Sequence, residues 1–86
     1  MIKKEISKEE LIEKFVKYAT IDGEAKLSGD VRKGNNATKK MNKISYILRE
    51  DKNLAETVYG EIMKSNSFRA KTLAAVECLR MNILLD

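Results

Sequence analysis

DVRKGNNATKKMNKISYILR, residues Asp30 to Arg49, is the stretch from which the rest of the chain can be read. Ala37, Met41, Ile44 and Leu48 fall within about 60° on a wheel of 100° per residue, the spacing of a helix with one buried side. Arg32, Asn36, Lys39 and Lys43 lie roughly opposite, with Tyr46 at one edge of that stripe. The stretch holds six basic residues (Arg32, Lys33, Lys39, Lys40, Lys43, Arg49) and, after Asp30, no acid. The other eleven basic residues of the chain stand against twelve acidic ones, so the net charge of +4 originates here. The spacing predicts a helix from about Val31 to Glu50. Gly34 inside it costs about 1 kcal/mol relative to alanine; it either permits close packing or delays the helix start.

Upstream, Ser28-Gly29-Asp30 supplies a left-handed cap for a preceding helix and an aspartate N-cap for the next. That preceding helix is expected from Lys8 to about Leu27. It opens on the capping box Ser7-Lys8-Glu9-Glu10, in which the serine hydroxyl takes a backbone N–H and Glu10 reaches back. Leu11, Ile12, Phe15, Val16 and Ala19 repeat at helical spacing, and Gly23 is a candidate loosening point. Met1 to Ile6 reads as a flexible tail.

Downstream, Asp51-Lys52-Asn53 forms a connector with Asn53 as the expected N-cap and Glu56 three residues on. A short third helix follows from about Leu54 to Lys64, with Leu54, Val58 and Ile62 on its face. Ser65-Asn66-Ser67 is a turn. A fourth helix is expected from Phe68 to about Leu84, apolar around most of its circumference, with a polar stripe of Arg69, Glu77 and Arg80. A helix so apolar is central to its fold or shared with a partner.

The 86 residues contain no proline and only four glycines, and 43% are apolar against 35% charged. Few helix breakers and no β-branched runs point to an all-α fold, read as one domain over residues 1–86. Short loops between four helices favour antiparallel neighbours, here two helical hairpins, with a closed four-helix bundle as the alternative. A chain of this length buries about 60–65% of its unfolded surface, enough for one modest core.

Glu61 to Leu79, EIMKSNSFRAKTLAAVECL, resembles a HEAT-type repeat. Ile62 and Met63 match its paired aliphatics, Asn66 its turn, and Phe68-Arg69 its aliphatic-arginine pair. Thr72 stands at a small-residue position; Leu73 replaces the usual alanine, and the turn proline is missing. Ala25, Gly29-Asp30, Lys33 and Asn35 are similar to a small bacterial family of unknown function with a HEAT/armadillo-like fold. The resemblance implies a helical-repeat fold rather than a reaction, and for Arg69 a structural contact between neighbouring units. Repeats bury their faces against neighbours, and about three are usually needed. Two hairpins therefore leave a face open, unless the fourth helix is buried in a closed bundle. Surplus apolar surface on that helix would dock on another protein or on a second copy of the chain.

Residue types exclude much chemistry. Without histidine the usual general base and the commonest metal ligand are missing. The lone Cys78 has neither a histidine base nor zinc-site companions, and is expected as a small core residue. No phosphate loop, nucleophile elbow or EF-hand spacing occurs. Glu9, Glu10 and Glu13, and the Glu50-Asp51 pair, read as surface charge near helix ends. The expectation is a protein that is not an enzyme and takes no cofactor. Its single cysteine agrees with a reducing cytoplasm, and no apolar run reaches the ~20 residues of a membrane span.

The candidate partner-binding residues are Arg32, Asn35, Asn36, Lys39, Lys40, Lys43 and Tyr46, with Arg69 and Arg80 as a second surface. The first reading is a protein-interaction module, an adaptor or an inhibitor of the immunity type, whose basic balance suits an acidic partner. The alternative is a backbone-directed nucleic-acid binder using the same stripe. The stripe also has a plainer reading as a solvated helix face.

Overall fold

A computed structural model describes residues 7–83 as four α-helices: α1 (Lys8–Ser28), α2 (Val31–Arg49), α3 (Lys52–Met63) and α4 (Phe68–Arg80). No strand occurs among the described residues, and the tail expected over residues 1–6 lies outside them.

Local side-chain chemistry sets most boundaries. The Glu10 N–H donates to Ser7 Oγ at 3.2 Å, opening α1 with the serine half of the expected capping box, while the Glu10 carboxylate pairs with Lys14 at 3.1 Å. α1 ends where Gly29 adopts φ +78, a left-handed turn in which the N–H groups of Gly29 and Asp30 both donate to the Ala25 carbonyl. Asp30 Oδ1 then accepts from the Lys33 N–H at 3.0 Å, so the residue that closes one helix also starts the next. Gly23 does not loosen α1, which runs through it unbroken.

Two boundaries differ from expectation. α3 starts at Lys52 because Asp51, not Asn53, is its N-cap, with Oδ1 accepting from the Leu54 N–H at 3.1 Å. α4 ends at Arg80 rather than near Leu84. Asn82 turns left-handed (φ 56), its N–H donates to the Leu79 carbonyl, and the Ile83 N–H donates to the Cys78 carbonyl at 2.8 Å. This paired 6→1 and 5→2 pattern stops the helix and folds Ile83 back into the core.

α1 and α2 are antiparallel neighbours: Tyr18 meets Lys40, Asp22 meets Thr38, and Ala25 meets Gly34, one number falling as the other rises. A Cβ on Gly34 would sit 3.4 Å from the Ala25 Cβ. Since α2 is already helical at that point, the glycine serves close packing rather than a delayed start. α3 and α4 form the second hairpin.

α1 and α3 each pack on all three other helices. α1 contributes Leu11, Phe15 and Ala19, and α3 Ala55, Val58, Tyr59 and Ile62, to a core completed by Met41, Ile44, Leu48, Ala70, Ala74, Cys78 and Ile83. Phe15 and Tyr59 meet edge to face with ring centroids 5.8 Å apart. Each large side chain buried here contributes roughly 1.5–3 kcal/mol. Of the two readings open for the apolar fourth helix, central to the fold or shared with a partner, the first is not met: α4 buries mainly the small residues Ala70, Ala74 and Cys78, and leaves Phe68 and Leu79 out in solvent. α2 and α4 make little direct contact, so the four helices do not close into a ring. They are two hairpins with an open cleft between α2 and α4, floored by α1.

Candidate interaction surfaces

α2 presents its buried side (Ala37, Met41, Ile44, Leu48) to the core, which sends the opposite side to solvent. Arg32, Asn35, Asn36, Lys39, Lys43 and Tyr46 are all exposed there, Tyr46 with 67% of its surface accessible. None of the described acids lies within ion-pair distance of Arg32, Lys39 or Lys43. The Asp30 carboxylate at the head of the helix caps the backbone instead. Lys40 is also exposed, but its ammonium lies 5.2 Å from the centroid of the Tyr18 ring, across the seam with α1. It belongs to the edge of the basic face rather than its centre.

Arg69 and Arg80 do not stand as free cations on a solvated stripe. The Arg69 Nε and Nη2 groups donate to Asp22 Oδ2 at 3.2 and 2.9 Å. The Lys26 ammonium donates to the same oxygen at 3.1 Å, and the Thr38 hydroxyl to Oδ1 at 3.3 Å. One carboxylate, only 2% exposed, thus ties together α1, α2 and α4. Burial pushes the Asp22 carboxyl upward, but the hydrogen bonds and charges of Arg69 and Lys26 outweigh it and hold the group below the usual carboxylate range. The Arg69 stem crosses α1 at Gly23, 3.6 Å from where a Cβ would be, an ordinary van der Waals distance.

Glu77 is the second such carboxylate. Read on the sequence wheel as part of the polar stripe of the fourth helix, it is buried. Arg49 Nη2 from α2 donates to its Oε1 at 3.3 Å, and Arg80 Nη1 from the next turn of α4 to its Oε2 at 3.1 Å. The Arg49–Glu77 contact links α2 directly to α4, and Arg80 braces the same carboxylate from within α4.

Asp22 and Glu77 mark the two ends of the cleft, a space of about 200 Å³ lined also by Phe15, Met41, Leu73 and Val76. Near its floor the Tyr59 hydroxyl is buried with no hydrogen-bond partner among the described residues, Ser45 standing beside it outside bonding geometry. Desolvation pushes Tyr59 up to about 12. Cys78 is buried as expected, and its thiol is pushed up by burial and by the nearby Glu77 charge. Among the described residues no cluster of three potential ligands could hold a metal ion, and no helix is long and apolar enough to cross a membrane.

The sequence contained a signal for Asp22 that the wheel of α1 carries openly: it continues the buried stripe Leu11, Phe15, Ala19, where an unpaired acid is untenable. For its partner Arg69, forty-seven residues away on α4, the repeat resemblance implied a structural contact but did not say with which residue.

Comparison with protein-family models, with curated proteins and with solved structures finds no match.

Proposed function

We propose that this chain is a non-catalytic protein-interaction module of helical-repeat type, which uses the outer face of α2 to hold an acidic surface on another protein. The observation that carries the reading is a basic face with no acid in ion-pair reach among the described residues: Arg32, Lys39 and Lys43, flanked by Asn35, Asn36, Lys40 and Tyr46. Cations that no described acid neutralises are placed to steer and orient an oppositely charged surface. Tyr46 adds a rigid amphipathic side chain of the kind enriched in interfaces. An adaptor, or an inhibitor of the immunity type covering a partner's active site, fits this design, and the single cysteine fits work in a bacterial cytoplasm.

Arg69 supports the repeat reading. It links the second hairpin to the first through Asp22, the bridging role that HEAT-like repeats give this arginine. The exposed Phe68 and Leu79 on the outer side of α4 leave room for a second copy of the chain or a further helical unit there.

The test compares wild-type protein with the Lys39→Glu/Lys43→Glu variant as bait in quantitative affinity capture, alongside titration with duplex DNA. The reading expects one or more captured proteins to be lost with the variant, and DNA binding to be undetectable at physiological salt. An unchanged set of captured proteins removes the α2 face as the contact. DNA affinity that falls steeply with salt and disappears in the variant would instead establish the backbone-directed nucleic-acid reading.

A further inference from the structure

We infer that the cleft between α2 and α4 is a second binding groove, built for an acidic amphipathic helix of a partner protein. It goes beyond the outer face of α2 and shares none of its residues.

The cleft has a charge surplus fixed in place by its own walls. Two buried carboxylates, Asp22 and Glu77, are each held by two cations: Lys26 and Arg69 at one end, Arg49 and Arg80 at the other. Each end therefore carries one positive charge more than its carboxylate neutralises. The donors are not exhausted either. Arg49 and Arg80 each use a single nitrogen on Glu77, and Lys26 a single contact on Asp22, so that among the described residues N–H groups of all three are unengaged. The side chains of Lys26 and Arg80 are each 62% exposed, so those donors are reachable from outside. Their orientation is nonetheless set by the buried acids, a pre-organisation that lowers the entropic cost of accepting a carboxylate.

Between the charged ends the wall is apolar. Leu73 is half-buried and Val76 is exposed on the cleft side of α4, with Phe15 and Met41 closing the floor. A volume of about 200 Å³ admits one or two aliphatic side chains, not a whole helix, so the occupant must lie along the rim and insert side chains. Arg69 and Arg80 are eleven residues apart on α4, about 16 Å at 1.5 Å per residue. A partner helix that places carboxylates about three turns apart, with aliphatic residues on the same face between them, matches that spacing end to end. This is helix-in-groove recognition with acidic anchors.

The probe is a fluorescein-labelled, helix-stapled peptide of fifteen residues (Glu at positions 2 and 13, Leu at 6 and 9, otherwise Ala and Gln), followed by fluorescence anisotropy with the full chain at low salt. Saturable binding is expected. The Val76→Asp/Arg80→Gln double variant should weaken it about tenfold or more, the loss expected when hot-spot contacts are truncated. Lys39→Glu/Lys43→Glu should leave it unchanged, so failure here and failure of the α2-face reading are told apart. Circular dichroism verifies that both variants remain folded, and Val76→Asp alone serves if the double variant does not. No measurable binding by wild type, equal binding of a scrambled peptide of the same charge, or equal loss with the α2-face variant would each overturn the inference.

Discussion

Replacing Asp22 by asparagine keeps the size of the side chain and removes the charge that gathers Arg69, Lys26 and Thr38. Removing one partner of a fully buried ion pair costs about 3–5 kcal/mol, because the other charge is left stranded. Here the stranded cations can reach water: the side chain of Arg69 is 36% exposed and that of Lys26 62%. The loss is then closer to that of charge-assisted hydrogen bonds, about 2 kcal/mol. For a domain of this size each kcal/mol moves the melting temperature by roughly 4–8 °C, so the variant should melt about 8–16 °C below wild type.

The pH dependence follows from the direction of the shift. Asp22 sits below its unfolded value, so its stabilisation is fully present above about pH 4 and is lost as pH falls through the folded value. The gap between wild type and Asp22→Asn should be constant from neutral pH to about pH 5, then narrow in more acid solution. Thermal and urea unfolding followed by circular dichroism reads both quantities. A double-mutant cycle with Arg69→Gln should give a coupling of about 1–2 kcal/mol. A variant that melts within about 1 °C of wild type, or a cycle with no coupling, would refute the view that this carboxylate joins the two hairpins.

Three further outcomes are expected. Gly60→Ala should stabilise the protein by about 0.5–1 kcal/mol, since a Cβ there meets nothing within 4 Å in a regular helix, whereas Gly29→Ala, at φ +78, should destabilise it; urea midpoints decide both. Tyr59→Phe should be neutral or stabilising at neutral pH because the buried hydroxyl has no partner; and since its raised value favours the folded state only below about pH 10, the stability wild type loses between there and about pH 12 should be largely absent in the variant. Cys78 should resist a thiol reagent such as dithionitrobenzoate in the native protein and react at once in denaturant; fast native labelling would contradict its burial.

How much the sequence disclosed depended on the range of the interactions involved. The caps at Ser7, Asp30, Gly29 and Ser67 act within a few residues, and α1 and α2 were legible almost to their ends. Where two capping residues compete within three positions, as Asp51 and Asn53 do, local rules do not choose; the carboxylate that reaches the Leu54 N–H wins. The apolar run toward Leu84 suggested a longer α4, but a single left-handed Asn82 overrode it. Periodicity counts apolar residues and not their size, so it did not show that the alanine-rich α4 adds little bulk to a core whose large side chains include Leu11 and Phe15 of α1 and Tyr59 and Ile62 of α3. On the binding side, the basic face of α2 is a local pattern and was visible; the cleft depends on Asp22–Arg69 and Arg49–Glu77, pairs separated by 47 and 28 residues, and was not.

Lysine labelling with an acetylating reagent, read by mass spectrometry on the free chain and on the chain bound to a captured partner, tests the proposed α2 interface most directly. Lys39 and Lys43 should lose most of their reactivity on binding, while the exposed Lys8, Lys52 and Lys64, away from that face, keep theirs. Unchanged labelling of Lys39 and Lys43 in a complex that is demonstrably formed would contradict the assignment of the α2 face as the contact surface.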